Sequence, residues 1–451
     1  MQHANLDMNN AHILTVSRSW CSAAFALLLL YHYVDNFSRL EATPIGLDES
    51  GRPVLDGQVT SLCLHYEQLN WTFSLTCSFN WTDHFMKDDF ILLNRDEIFD
   101  GKGHSIDLSN IREWKGLFMI EDSQESGNAP TSLEDAPVIR SLHMLAGQTS
   151  VSGGFIVRQR QKNFIVESCS SSGIILGGGI CGDRCSGYVR ITNCHSTGDI
   201  VGGWSGGIAG GQIAYIHGQA IISQCFSTGE IGGIWTFGIC GNAAGYNRGA
   251  VKISQCYTMG EISGLGSGGI AARGGGYRHG HVTIADSYAR GNITGSGHPG
   301  GICGQQSARN NGTLVCKNVY SSGYVLSPSG GGIIGQIEHD AYHIHIERSV
   351  YNAMGNESLI TGDDNGLQYK AIRNSANLQE IENKIYCFGR TDCWDTRQIW
   401  TIALSDRFPV LQFQGHPAMS PTPSPFPSPK RQRMEVPVQY PLRSVIIEEI
   451  D

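Results

Sequence analysis

The sequence predicts an all-β protein, specifically a right-handed parallel β-helix. The first observation is a unit that recurs between positions 164 and 355, as in 191–200, 222–231 and 253–262. The second is that the unit is rich in glycine and β-branched residues and lacks a 3.6-residue periodicity, which excludes helical repeats. A fixed period of this length indicates a solenoid and is too short for a propeller blade.

Two glycine markers set the register of the repeat. The first marker, with successive spacings of 25, 31, 31, 31 and 32 residues, occurs at Gly173, Gly198, Gly229, Gly260, Gly291 and Gly323. The second opens a Gly-Ile-x triplet at Gly179, Gly207, Gly238, Gly269, Gly301 and Gly332. Because a coil must turn sharply several times, we expect these glycines to provide positive φ at its corners.

Three further columns support stacked parallel coils. Branched residues lie two positions after the first marker, at Ile175, Ile200, Ile231, Ile262, Ile293 and Val325. A similar column lies seven positions before it, at Val166, Ile191, Ile222, Ile253, Ile284 and Cys316. An aromatic column, which we interpret as structural stacking, comprises His195, Phe226, Tyr257, Tyr288, Tyr320 and Tyr351. The right hand follows from the crossover rule for parallel strands.

The sequence predicts that the chain divides into five segments. They are a signal or anchor-like targeting segment at 1–42, a β-rich N-terminal cap at 43–99, the β-helix at 100–355, a C-terminal closing segment at 356–415 and a disordered Pro/Ser-rich tail at 416–451. The apolar stretch of the targeting segment has signal-peptide length and is too short for a stable membrane span. Strands near 400–402 and 408–411 are expected to pair over the C-terminal end of the solenoid.

Cysteines and glycosylation sequons favour secretion or display at the cell surface. Cys63 with Cys77, and Cys387 with Cys393, are plausible disulfides in an oxidising compartment, and Cys181 with Cys185 is a third pair. Cysteines of the repeat column are expected to pack as small apolar residues. Asn-x-Ser/Thr sequons, the acceptor sites for N-glycosylation, occur at Asn36, Asn70, Asn80, Asn292, Asn311 and Asn356.

The repeat resembles a known family. Residues 224–231 (QCFSTGEI) and 238–241 (GICG) resemble the GLUG-type repeats of surface-associated β-helix proteins, and similar chains occur in brown algae and their large viruses. The resemblance covers 164–355, and the stretch 400–411 is similar to the ends of such proteins. Isoleucine with Cys or Ala stands here where the motif has Leu-Val. The resemblance implies an adhesin-like extracellular role and no catalytic residue.

An enzymatic alternative remains open, because β-helices also act as polysaccharide lyases, hydrolases and epimerases. The weak candidates for catalysis are His279, His281, Asp340 and His343. Strand alternation places His343, His345 and Glu347 on one face, which a solvated outer surface also explains. No cysteine, histidine or carboxylate spacing predicts a metal site, and no cofactor motif is present.

The candidate binding residues are Trp204 and Trp235. Each lies six positions after a marker glycine, so the two should stack on adjacent coils. The equivalent positions Gly266 and Gly297 do not continue the pair, which is typical of a local site; corner packing is the alternative explanation.

Charge and composition restrict the function. The formal net charge is −9, which argues against nucleic-acid binding. Residues 153–360 contain 13 Lys+Arg and 10 Asp+Glu, hence +3, so the flanks together carry −12. We therefore predict a secreted or surface-displayed, adhesin-like protein that binds a cell-wall polysaccharide or cell-surface partner. A polysaccharide-modifying enzyme and a structural wall or particle component are the alternatives, and the oligomeric state is left undetermined.

Overall fold

A computed structural model of the chain confirms the all-β, parallel β-helix architecture. Apart from one 3-10 helix at Gln412–Gly415, the regular elements among the described residues are β-strands. The structure describes residues 13–15, 46–47, 53–54, 64–67, 72–81, 90–93, 95–120, 136–271, 276–337, 343–352, 360–362, 372–374, 394–395, 398–402 and 409–415.

The strands are short and follow one another at coil spacing. The first fifteen are β1 Ile13–Thr15, β2 Gly46–Leu47, β3 Pro53–Val54, β4 Leu64–Glu67, β5 Thr72–Leu75, β6 Phe79–Asn80, β7 Phe90–Leu93, β8 Ile98–Asp100, β9 Ser105–Asp107, β10 Phe118–Ile120, β11 Val138–Arg140, β12 His143–Leu145, β13 Lys162–Glu167, β14 Ser170–Ser171 and β15 Ile174–Ile175. The remainder are β16 Ser186–Thr192, β17 His195–Ser196, β18 Asp199–Ile200, β19 Gln219–Ser223, β20 Phe226–Ser227, β21 Ala250–Ser254, β22 Tyr257–Thr258, β23 His281–Ala289, β24 Thr313–Ser321, β25 Ile334–Ile337, β26 His343–Glu347, β27 Val350–Asn352, β28 Ile360–Gly362, β29 Ile372–Asn374, β30 Trp400–Ile402 and β31 Pro409–Leu411.

Each coil has four sides, and equivalent sides of successive coils pair in parallel. The first ladder comprises β5, β8, β11, β13, β16, β19, β21, the first halves of β23 and β24, and β26. The second ladder comprises β6, β9, β12, β14, β17, β20, β22, the second halves of β23 and β24, β27 and β29.

The other two sides are narrower and pair mostly through single bridges. The third ladder runs through Gln148, β15, β18, Ile231, Ile262, Ile293 and Val325. The fourth ladder runs through β7, β10, Val157, Cys181, Ala209, Cys240, Ala271, Cys303, β25 and β28. The predicted branched columns lie on the first and third ladders and are buried to within 1% exposure, which confirms them as the core.

One residue forms the corner between the first and second ladders of each coil. It has positive φ in seven successive coils, at Ser168, Asn193, Gln224, Gln255, Asp286, Asn318 and Arg348. Asparagine and aspartate tolerate this left-handed conformation better than most residues. The corner side chains also bond along the stack, because Asn318 Nδ2 donates to Asp286 Oδ1 and Arg348 Nε donates to Asn318 Oδ1, each at 2.8 Å. The corner turns the next residue into the core, and these buried residues are Cys169, Cys194, Cys225, Cys256, Ser287, Val319 and Ser349.

The marker glycines serve a different purpose from the one expected. Apart from Gly173 they do not have positive φ. Instead, a Cβ added at Gly229 would lie 1.9 Å from the carbonyl oxygen of Gly198 on the preceding coil, and Gly260 and Gly291 show the same conflict. The second marker meets the opposite wall of the coil, since a Cβ at Gly238 would lie 2.0 Å from Thr258 Cγ2. Close approach therefore explains these glycines.

The aromatic column is buried rather than exposed. Phe226, Tyr257, Tyr288 and Tyr320 stack with ring centroids about 5 Å apart and lie at most 5% exposed. Tyr351 does not join them. The pairing shifts by one residue, so that Val350 lies opposite Tyr320 and the Tyr351 side chain enters the core.

An antiparallel hairpin of β30 and β31 covers this column. Trp400 contacts the rings of Tyr288 and Tyr320, and the Tyr320 hydroxyl donates to the carbonyl oxygen of Pro409 at 2.6 Å. Phe413 extends the cover to Tyr257. The hairpin thus lies along the side of the solenoid, on the second ladder, rather than over its C-terminal end.

The parallel ladders begin earlier than the boundary predicted at residue 100. β5 already pairs in parallel with β8, while β4 adds an antiparallel strand to β5. Cys77, just beyond this hairpin, is disulfide-bonded. Its predicted partner Cys63 lies outside the described residues, as do Cys387 and Cys393, so these pairings stay predictions.

Other expectations fall at the ends of the chain or on the third cysteine pair. The targeting segment 1–42, apart from β1, and the tail 416–451 lie outside the described residues. Cys181 and Cys185 are buried free thiols, so the disulfide expected there is not formed; the Cys185 Sγ instead donates to the carbonyl oxygen of Gly182 at 3.3 Å. In the part of the chain that the structure describes, no helix combines the length and hydropathy needed to cross a membrane.

We expect Gly238→Ala to destabilise the fold by about 2 kcal/mol, because the new methyl group would overlap Thr258 and the carbonyl oxygen of Gly269 at 2.1 Å. Gly232→Ala is the matched control, since its Cβ would meet only Ser263 Oγ at 3.6 Å. Urea denaturation followed by circular dichroism measures both. Equal midpoints for the two variants would contradict the close-approach explanation.

Candidate functional site

The corner between the third and fourth ladders carries the two candidate tryptophans. We call it the Trp turn, and it comprises residues 201–205, 232–236, 263–267 and 294–299. The backbone N–H of Trp204 donates to the carbonyl oxygen of Ile234, and that of Trp235 donates to Leu265. The two tryptophans therefore occupy equivalent positions on adjacent coils, as the spacing predicts.

These positions have a backbone conformation that disfavours bulky residues. Trp204 and Trp235 have φ of 71° and 54°, and the equivalent Gly266 and Gly297 have φ of 62° and 64°. Left-handed backbone costs a residue with a side chain roughly 1 kcal/mol, whereas glycine adopts it freely. The corner conformation therefore does not require tryptophan.

The two indoles form a splayed platform. Their ring centroids lie 6.1 Å apart with planes inclined by 51°, so the rings do not stack face to face. Trp204 is 40% exposed and Trp235 is partly exposed. Exposed aliphatic side chains adjoin the pair on three coils, namely Val201, Ile234 and Leu265. Exposed apolar side chains clustered beside aromatic rings are typical of an interaction site.

A column of carboxylates lies at the neighbouring corner, between the second and third ladders. Asp199, Glu230 and Glu261 are exposed on three successive coils, immediately after the marker glycines. The Asp199 carboxylate accepts a hydrogen bond from the backbone N–H of Glu230, and Glu261 accepts one from the Thr294 hydroxyl, each at 3.0 Å. Three stacked negative charges repel an anionic ligand, so the platform favours a neutral or cationic one.

Two of the weak catalytic candidates, His281 and His343, are held apart in the structure. His281 and His343 belong to one outward column of the first ladder, but Thr313 lies between them. Two coils separate their backbones by about 10 Å, which is too far for a shared proton or ligand. His279 is exposed on a turn, and Asp340 lies outside the described residues. Among the described residues no group of three His, Cys, Asp or Glu side chains could hold a metal ion.

The predicted alternation of the His343 strand is confirmed. His343, His345 and Glu347 point outward, whereas Ile344 and Ile346 are buried. His345 Nε2 lies 3.4 Å from Glu347 Oε2, and the Glu347 carboxylate also pairs with Arg348 at 2.9 Å. These contacts account for the three polar side chains as a solvated outer face.

The buried thiols are chemically quiet. Cys169, Cys194 and Cys225 lie fully inside the solenoid, where burial raises the pKa of each thiol well above its ordinary value. Their Sγ atoms donate weak hydrogen bonds to backbone carbonyls, such as that of Thr192. Because the thiolate is the reactive species, these side chains act as core residues rather than nucleophiles.

Sequence reasoning missed a second repeated aromatic column. Tyr215, Tyr246 and Tyr277 each lie seventeen positions after a marker glycine. They stack on the corner between the fourth and first ladders and remain partly exposed. The 31-residue spacing was available in the sequence, but only the structure separates this exposed column from the buried one.

No family model and no curated protein matches the chain. Among solved structures, the chain is similar to one from Bacteroides ovatus described as "a putative immunoglobulin A1 protease", with 17% identity and a TM-score of 0.34. The alignment covers 76% of this chain and 86% of the other. A TM-score this low carries no argument about function, so the site is interpreted from its own geometry.

One carboxyl near the exposed aromatic column of Tyr215, Tyr246 and Tyr277 has an unusual pKa. Burial raises the pKa of Asp183 to about 6, although the backbone N–H of Gly211 donates to its Oδ1 at 2.7 Å. The folded protein therefore holds this proton more tightly than the unfolded chain does. The carboxyl favours folding most below about pH 4, and this contribution is lost as the pH rises through 6.

We expect Asp183→Asn to gain stability relative to the wild type as the pH rises from 4 to 7.5, by on the order of 2 kcal/mol. The amide keeps an acceptor for Gly211 but carries no charge to bury. Urea midpoints across this pH range measure the effect. Asp199→Asn, at an exposed carboxylate, controls for net charge, and a pH-independent difference for Asp183→Asn would contradict the assignment.

Proposed function

We propose that the protein is a non-enzymatic, adhesin-like protein of the cell surface or extracellular matrix that binds a neutral cell-wall polysaccharide through the Trp turn. The observation that carries this proposal is the Trp204–Trp235 pair, which stands at positions where the backbone favours glycine. The splayed, partly exposed indoles offer flat apolar surface to the faces of sugar rings.

The neighbouring charges define the ligand class further. The carboxylates of Asp199, Glu230 and Glu261 can accept hydrogen bonds from sugar hydroxyls but repel uronate or sulfate groups. A neutral hexose polymer therefore suits this corner better than an acidic one. The platform spans two coils, so it would contact a short stretch of the polymer.

Features outside the site support an extracellular location. The predicted glycosylation sites Asn292 and Asn311 are exposed, and Asn80 is partly exposed, while Asn36, Asn70 and Asn356 lie outside the described residues. The free thiols of the repeat are buried, which protects them in an oxidising compartment. The resemblance of the repeat to GLUG-type surface proteins supports the same location.

The test uses Trp204→Gly, because glycine is the residue that equivalent coils carry. We expect the variant to be at least as stable as the wild type and to bind insoluble β-glucan or cellulose at least tenfold more weakly. Trp204→Phe keeps an aromatic ring and should retain most of the affinity. Depletion assays on each polymer measure binding, and thermal denaturation measures stability.

Three outcomes would contradict this proposal. Equal retention of wild type and Trp204→Gly would remove the platform from the binding site. Release of new reducing ends or unsaturated sugars would favour the lyase, hydrolase or epimerase alternative. A wild-type protein that binds no neutral glycan would favour a structural wall or particle component.

A further inference from the structure

The corner between the fourth and first ladders repeats an unusual backbone turn. In four coils, two consecutive non-glycine residues with positive φ precede a glycine; the turns end in Ile216-His217-Gly218, Asn247-Arg248-Gly249, Arg278-His279-Gly280 and Asn310-Asn311-Gly312. Backbone hydrogen bonds join the turns of neighbouring coils, as between the Arg248 N–H and the Arg278 carbonyl oxygen at 3.0 Å. The outward side chains of this corner are therefore held in register.

A tyrosine stack occupies the middle of this corner. Tyr215 and Tyr246 have centroids 5.5 Å apart at 13°, and Tyr246 and Tyr277 have centroids 5.4 Å apart at 21°. Their hydroxyls form no hydrogen bond to the protein within the described part of the chain. Unlike the column under the C-terminal hairpin, this stack is partly exposed.

Arginines bracket the stack at both ends and along its side. The guanidinium of Arg184 lies 6.0 Å from the Tyr215 ring centroid, and that of Arg309 lies 5.9 Å from Tyr277. Arg278 lies 5.6 Å from both Tyr246 and Tyr277. These distances are typical of cation–π contacts, which hold the guanidinium groups over the rings while their remaining N–H groups stay available.

Among the described carboxyls, Asp183 interacts electrostatically with one arginine of this corner, Arg184. Arg184 and Arg309 donate to the side-chain carbonyls of Gln212 and Gln306, and no arginine of the turn forms an ion pair with a described carboxylate. The exposed Arg248 likewise forms no ion pair with a described carboxylate. In the described turn residues, 182–187, 210–218, 241–249, 276–280 and 304–312, the single carboxyl is Asp183.

Lys252 extends the positive strip onto the outer face of the first ladder. The exposed carboxylate column of Asp199, Glu230 and Glu261 lies at a different corner, between the second and third ladders. The charges of the solenoid are thus segregated, and an anionic polymer meets attraction at one corner and repulsion at the other.

We propose that this tyrosine–arginine edge, formed by Arg184, Tyr215, Tyr246, Arg248, Tyr277, Arg278 and Arg309, binds a linear anionic polysaccharide laid along the solenoid axis. The edge is separate from the Trp turn, so the proposal does not depend on neutral-glycan binding there. It spans five coils, or about 19 Å at the spacing of paired strands, which fits several sugar residues.

The chemistry of the edge favours sulfate or carboxylate groups over nucleic acid. Single-stranded nucleic acids bind by stacking their bases on open aromatic faces. Here the faces of the tyrosines are occupied by one another and by guanidinium groups. What the edge presents outward is phenolic O–H and guanidinium N–H, which are hydrogen-bond donors suited to anionic oxygens.

The test measures binding of the purified full chain to a fluorescent heparin oligosaccharide, to alginate oligosaccharide and to dextran. We expect Arg248→Gln/Arg278→Gln to weaken heparin binding at least tenfold and to reduce its salt dependence. Arg112→Gln/Lys115→Gln is the matched control, because both residues are exposed beside Trp114 on the third ladder and the change in charge is the same. The control should bind within twofold of the wild type.

A second variant tests the edge without a change of charge. Tyr246→Phe keeps the stack and the cation–π contacts but removes one hydroxyl, and we expect a threefold to tenfold loss of heparin affinity with an unchanged thermal midpoint. Trp204→Gly should leave heparin binding intact, which distinguishes this edge from the Trp turn.

The proposal is overturned if neither anionic polymer binds, or if the Arg248/Arg278 variant binds as tightly as the control. It is also overturned if single-stranded DNA of equal charge outcompetes heparin at the same ionic strength. Dextran binding that survives all the edge variants reports on the Trp turn alone.

Discussion

The close stacking of coils is the constraint on which the rest of this structure depends. At Gly229 and its equivalents the chain passes so near the preceding coil that a Cβ would overlap a carbonyl oxygen. At Gly238 the two walls of one coil meet, and the side chain of Thr258 fills the space. Because glycine occupies these positions, all the remaining inward-facing residues can pack into an uninterrupted core.

The corners that this stacking requires are made largely without glycine. Residues such as Asn193, Gln224 and Arg248 have positive φ and project outward in register. Each such corner carries a local conformational cost, which the ladder hydrogen bonds on both sides offset. Since the cost is met by the scaffold, the outward side chains are free to vary. The surface chemistry of the protein is therefore concentrated at its corners.

Two corners flanking the fourth ladder carry contrasting surfaces. The Trp turn combines exposed indoles with a neighbouring column of carboxylates, whereas the tyrosine–arginine edge presents donors and positive charge. The two proposals together have the solenoid hold two different polymers side by side, one neutral and one anionic. The hairpin of β30 and β31 packs on the second ladder.

A large part of the fold could be predicted because a stacked coil transmits its period directly into the sequence. The columns through Ile191 and Ile200 and the register of Trp204 with Trp235 follow from residue spacing alone. The spacing misleads where a coil changes length. The paired residues Tyr320 and Val350 are separated by 30 positions instead of 31. This one-residue shift turns the side chain of Tyr351 into the core.

The sequence by itself determined the fold class, the inward columns and the pairing of the two tryptophans, because these depend on local periodicity. Only the tertiary structure decided which aromatic column is covered, since the hairpin that buries Tyr320 comes from residues about 80 to 90 positions away. It also decided that Cys181 and Cys185 remain thiols and that the arginines around Tyr246 form no ion pair with the carboxylates that the structure describes. Exposure and charge neutralisation depend on neighbours distant in the chain, and a repeat carries no record of them.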